Sequence, residues 1–289
     1  MAIWIHKTNS MNNVFSQDDW PAVSQVTKNI VSALSPEKIF LLSVIHQKKK
    51  IQSIFVDNPL EQHLIEALNI LVLTGESEKR SHEELQDIIE NRLGLQIPVT
   101  AFTVRAGQFM GWLNKDHPFA VKVVNMAKLY YDAGNFPISM TKEYNESAAN
   151  DLLLWELEQK TNRAGEFLAG ADLYIVRMQY ELATFHLHQA AEQMYSGIIQ
   201  FTTGFEVQTH NLDKMYRYSK YLLPGLKDIF PRDTEIEVKL FHCLQKAYLG
   251  GRYDSHYSIK YPEVSQLFER IKKLLILCRG IKRTKLITT

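Results

Sequence analysis

Near Asn135 the hydrophobic pattern of the chain changes character, and this constrains the fold more than any other feature. Before it, short runs rich in Ile, Val, Leu and Phe recur at 38–46 (KIFLLSVIH), 51–57 (IQSIFVD), 69–74 (NILVLT) and 98–104 (PVTAFTV). Polar or turn residues bound each run, which is the pattern of strands. QKKK between the first two predicts a hairpin, with Lys48, Lys49 and Lys50 as a solvated tip that discourages edge pairing. Amphipathic stretches at 21–34 and 81–93 lie between or around these runs. Pro21 stands in the first turn of one; the other opens on the capping box Ser81-x-x-Glu84 and stops at Gly94. Strands alternating with helices predict an α/β domain with a small mixed sheet over residues 1–135.

Beyond Asn135 the strand signal vanishes. Helical periodicity covers 141–164, 170–202, 210–222, 233–249 and 262–280. In the second of these, Leu173, Val176, Tyr180, Ala183, Leu187, Ala190, Ala191 and Met194 recur at threes and fours, with Gly170 and Gly204 as its breakers. Thr209 is expected to cap the next helix and Pro231-Arg232-Asp233 to open the fourth. Gly250-Gly251 is expected to end the fourth, and Pro262 to open the last. The fold class is therefore α+β: an α/β domain over 1–135, then an all-α antiparallel bundle over 136–289.

Composition narrows the function classes. Apolar content of 45% and charged content of 22% are those of a globular protein. With 33 basic and 32 acidic residues the formal charge is +1, so any phosphate binding must be local. Cys243 and Cys278 cannot make a disulfide framework and fit a reducing compartment; no His pair joins them at metal spacing. No metal and no cofactor are expected. The start MAIWIHKTNSMNN lacks the pattern of a signal peptide, and the longest apolar runs are too short to span a bilayer. The expectation is a cytoplasmic protein without a membrane partner.

Three polar constellations stand out in the helical half. His188, Glu192 and Tyr195 share one face of a long helix, while His186 points elsewhere. Thr209-His210-Asn211-Leu212 stands at a helix start, and LGGRYDSHY (249–257) gathers Arg252, Tyr253, Asp254, His256 and Tyr257 after two glycines. Arg252 has the planar fork that matches phosphate oxygens, and Tyr253 or Tyr257 could stack a base or be anchored in the core.

His188 to Glu192, then Thr209-His210-Asn211-Leu212, then Arg252-Tyr253 resemble, in that order and spacing, the HEPN family, the "higher eukaryotes and prokaryotes nucleotide-binding" domain. The resemblance covers roughly residues 165–280. It implies a four- or five-helix antiparallel bundle, often a homodimer. Its cleft holds a nucleotide in sacsin-like members; in toxin-like members an arginine and a histidine four to six residues apart cleave RNA. The nucleotide-binding residues it implies are Arg252, Tyr253, Tyr257, His188, Glu192 and His210. A ribonuclease would use His256 and Arg252, which are separated here by only Tyr253, Asp254 and Ser255.

The α/β half resembles the minimal nucleotidyltransferase domain of the polymerase-beta superfamily, through KIFLLSV, NILVLT and IPVTAFTVRAGQFMGWLNKDHPFAVKVVNMAKLYYDAG. Active members carry Gly-Ser after the first strand and Asp-x-Asp entering the next. Here Ser43-Val44 and Ala67-x-Asn69 stand in those places, with Asp57 the nearest aspartate. One carboxylate cannot clamp two magnesium ions, so the resemblance implies a catalytically inactive domain. Three functions remain open: nucleotide or RNA binding, a metal-independent ribonuclease, and an adaptor without ligand.

Overall fold

The computed structural model describes residues 20–51, 60–138, 146–253 and 256–285. The chain divides into two compact units, 1–144 and 145–289. The first contains α1 (Trp20–Leu34), β1 (Lys38–Ile51), β2 (Leu60–Thr74), α2 (His82–Asp87, continued by a π turn to Arg92), β3 (Val99–Arg105), α3 (Ala106–Asn114), α4 (Pro118–Met126) and β4 (Lys128–Asp132). The strands form one mixed sheet in the order β3-β2-β1-β4, with β2 and β3 parallel and the other pairs antiparallel. Val23, Val26 and Ile30 of α1 and Leu85 and Ile89 after Ser81 join Ile39, Leu41, Ile70 and Val72 in one core. On β1, Phe40 stacks on Phe109 of α3 at 6.3 Å. Lys38 and Asp132 face each other across β1 and β4 in a 2.6 Å ion pair that satisfies the buried lysine.

The capping box forms as its spacing predicts. Ser81 Oγ accepts from Glu84 N and Glu84 returns its carboxylate to Ser81 N, and Gly94 beyond takes φ +58°. The hairpin expected at QKKK is corrected: β1 runs unbroken through Lys48, Lys49 and Lys50, and Ile51 pairs with Leu60. Main-chain pairing to β2 outweighs the low strand preference of lysine. The strand expected at 51–57 falls, beyond Ile51, outside the described residues, as does Asp57. Helices α3 and α4 and strand β4 are additions to the expected elements.

The second unit contains α5 (Glu146–Val176), α6 (Tyr180–Thr203), α7 (Leu212–Ser219), α8 (Leu226–Ile229), α9 (Glu235–Tyr253) and α10 (Tyr261–Lys285). Three expected helix ends move. Helix α5 passes straight through Gly170, because a Cβ there would lie 2.7 Å from His186 Nδ1 of α6: the glycine admits a neighbour and breaks nothing. The chain turns instead at Met178, φ +58°, where Met178 N bonds to Ile175 O and Gln179 N to Tyr174 O in a Schellman motif. Leu173 and Val176 accordingly lie on α5, exposed, and not on the buried stripe of α6. Asn211, not Thr209, caps α7, its side chain accepting from Lys214 N, while Thr209 Oγ accepts from Asn211 N.

The third shift concerns Gly250-Gly251, which lie inside α9. A Cβ on Gly251 would stand 2.8 Å from the main-chain oxygen of Glu181 on α6, and one on Gly250 would stand 2.6 Å from the Tyr257 ring. Helix crossing is the reason for Gly251, and the packing of the chain that returns after α9 is the reason for Gly250. Gly251→Ala should therefore lower stability by about 1–3 kcal/mol through overpacking, although alanine is the better helix former by about 1 kcal/mol. Gly280→Ala in α10, where nothing lies within 4 Å, should be neutral or stabilising. Thermal or urea unfolding of the two variants checks the contrast.

Candidate functional site

Helices α6 and α9 run antiparallel and touch at two levels. At one, Gly251 lies against Glu181 and Phe185. At the other, His188 Nδ1 stands 3.0 Å from the carbonyl of Leu244. A carbonyl only accepts, so Nδ1 carries the hydrogen and Nε2 faces Glu192, 3.6 Å from Oε2. His188 is fully buried.

Glu192 receives a second histidine from the loop before α7. His210 Nδ1 donates to both carboxylate oxygens, at 3.0 and 3.1 Å. Burial alone raises the Glu192 carboxyl. The imidazoles of His188 and His210 outweigh that and hold it below the ordinary glutamate range.

The ring of Tyr248 on α9 joins this pair to the arginine. His210 stacks on it at 4.6 Å and 14°, and His188 lies 5.3 Å away. One turn further along α9, the Arg252 guanidinium sits 4.6 Å from the Tyr248 centroid, 4.8 Å from Phe185 and 4.9 Å from Tyr253. Arg252 Nε donates to the Tyr248 carbonyl at 2.9 Å. The terminal Nη groups have no protein partner among the described residues, and the side chain is exposed.

The structure thus brings His188, Glu192, His210 and Arg252 into one connected cluster. Tyr253 borders it with its ring exposed. Tyr257 turns inward: its ring packs on Gly250 and its hydroxyl donates to Cys243 O at 3.0 Å, with burial pushing the phenol up. Arg252 is in the last turn of α9, whereas exposed His256 follows the end of that helix and α10 begins only at Tyr261. The two do not share a helical face.

Tyr248 and Phe185 are not among the residues that the sequence singles out. The i, i+4 spacing of Tyr248 and Arg252 on one helix is a signal that points to the first; only the crossing of α6 reveals the second.

Residues 157–281 match the HEPN domain family, in agreement with the resemblance read over 165–280. The match lies within the second unit and includes every residue of the cluster. No curated protein matches the chain at a significant level.

Because the folded-state pKa of Glu192 is depressed, its contribution to stability is present above the ordinary glutamate value of 4.5 and lost as pH falls through the lower folded value. Glu192→Gln should cost about 1–3 kcal/mol near neutrality, the worth of charge-assisted hydrogen bonds. That deficit should shrink steadily below pH 4.5. Urea unfolding of both proteins across pH 3–7 measures it.

Proposed function

We propose that the second unit binds the phosphate of a nucleotide or of RNA, and that Arg252 is the residue that takes it. One observation carries this reading: the guanidinium lies 4.6, 4.8 and 4.9 Å from the rings of Tyr248, Phe185 and Tyr253 and is held through Nε, while both Nη groups remain unpartnered among the described residues. A guanidinium anchored in this way has little side-chain freedom left to lose and presents two parallel donors to phosphate oxygens. The HEPN match over 157–281 is consistent with nucleotide or RNA binding. Tyr253, 77% exposed beside Arg252, is placed to stack a base. We assign Tyr257 to anchoring the chain after α9, since its ring and hydroxyl are used there.

Binding is favoured over ribonuclease chemistry because His256 lies outside the helix that presents Arg252. We further propose that the bundle pairs with a second copy of the chain, for which exposed Leu173, Val176 and Met178 supply apolar surface.

The first unit we take to be an inactive nucleotidyltransferase-like domain. Supporting this, Asn69 Nδ2 donates to Ser43 Oγ at 2.7 Å across β1 and β2, so the positions read against the active-site motif are engaged with each other. Incubation with magnesium and nucleoside triphosphates should yield no transfer product. Labelling of protein or nucleic acid that requires the metal would refute this assignment.

For the bundle, ligand at 100 times Kd should raise wild-type stability by about 2.7 kcal/mol, and Arg252→Ala should sharply reduce the gain at the same ligand concentration. His256→Ala should change affinity by at most about tenfold, and the wild type should not cleave single-stranded RNA. Thermal shifts with mononucleotides and a short RNA test the first pair of outcomes, and gel analysis of the RNA tests the last. Metal-independent cleavage lost in His256→Ala would establish the ribonuclease instead.

A further inference from the structure

We infer that Tyr248 is a positioning residue for Arg252, and that Glu192 and His210 act on the phosphate site through it without touching ligand. The inference rests on the phosphate-binding reading of Arg252. Three contacts converge on the one tyrosine. Its carbonyl accepts from Arg252 Nε at 2.9 Å, its ring lies 4.6 Å from the guanidinium, and the same ring stacks on His210 at 4.6 Å. Its hydroxyl has no protein partner among the described residues, so the flat aromatic surface is what it supplies.

The lateral position of that surface is fixed from outside α9. Glu192 is only 12% exposed and grips His210 through both oxygens, and His210 in turn lies parallel to the tyrosine ring. Remove the ring and the arginine keeps its charge and Phe185, but loses a face against which only a limited set of its rotamers fits. A long, flexible side chain released in this way must be ordered again at each binding event, at a cost of about 0.5–1.5 kcal/mol. The carbonyl contact survives substitution, because it belongs to the main chain. The predicted loss is therefore partial.

This assigns different work to residues that share one cluster. His188, fully buried between Leu244 and Glu192, fixes α6 against α9. Glu192 and His210 brace Tyr248. Arg252 alone meets the anion.

The test uses the full chain, a fluorescent single-stranded RNA octamer and ATP, with affinity measured as a function of salt. Tyr248→Leu should weaken RNA binding by up to about tenfold, and Tyr248→Phe should stay within about twofold of wild type. In an Arg252→Ala background, Tyr248→Leu should cause no further loss, because the residue acts only through the missing guanidinium. Arg252→Ala should also reduce the slope of log affinity against log salt by about one phosphate contact. His210→Ala, at an exposed position, should give a several-fold loss that likewise vanishes in the Arg252→Ala background.

Wild-type affinity in both Tyr248→Leu and His210→Ala overturns the inference, as does a loss of equal size in both backgrounds. If wild type binds neither RNA nor ATP, or if Arg252→Ala binds as wild type does, the phosphate-binding reading itself fails and the positioning role falls with it.

Discussion

Where α9 crosses α6 at Gly251, no side chain separates the helix from the Glu181 carbonyl, and one turn of α9 lies directly on another element's backbone. Tighter spacing than side chains usually allow is what lets Phe185 reach the Arg252 guanidinium at all. The second contact, His188 to the Leu244 carbonyl, sets how far along the two helices slide past each other. Glu181 and His188 are seven positions apart on α6, as Leu244 and Gly251 are on α9, so the two contacts fix one antiparallel register. Arg252, Tyr248 and the Glu192 pair then follow from helix geometry, each about one turn from the next.

A carboxylate in such a place needs explaining, since burial opposes its charge. Glu192 stands on an α6 surface otherwise given to Leu187, Ala190, Ala191 and Met194, all fully buried. Two imidazoles from different elements, one on the same helix and one on the loop before α7, compensate it. The result is a polar bolt through an apolar wall: it contributes modestly to net stability but strongly to which arrangement is allowed. In the loop that carries His210, the Asn211 cap and the Glu192 contact add polar ties to the buried Phe205.

Local signals in the sequence were reliable where they involve neighbours along the chain. The capping box at Ser81, the left-handed stop at Gly94 and the opening of α10 at Tyr261-Pro262 follow from residues within four positions of one another. Glycine is the instructive failure. Gly170, Gly250 and Gly251 each look like a break, because a missing side chain reads the same whether it permits a turn or a close neighbour. The true break at Met178 carries no glycine, so its left-handed residue left no mark on the pattern. For the site, His188, Glu192, His210 and Arg252 were legible as polar residues in the order and spacing of the HEPN resemblance. What joins them, the Tyr248 ring, resembles an ordinary half-buried core tyrosine until two helices and a loop are brought around it.

The near-neutral charge of the chain decides how an anion could be held. With 33 basic and 32 acidic residues there is no general positive field to gather phosphate, so in the proposed site a single guanidinium must do with geometry what a basic surface does with number. In open water one arginine–phosphate contact is screened and weak. Three rings around Arg252 change two terms at once. They displace water from part of the cation, which strengthens its interaction with an approaching anion, and they stabilise the charge through their π faces while leaving the Nη donors accessible. The polarity of LGGRYDSHY has the same logic. Gly250, Gly251 and Tyr257 are spent on packing, and that packing holds Arg252 and Tyr253 at the surface.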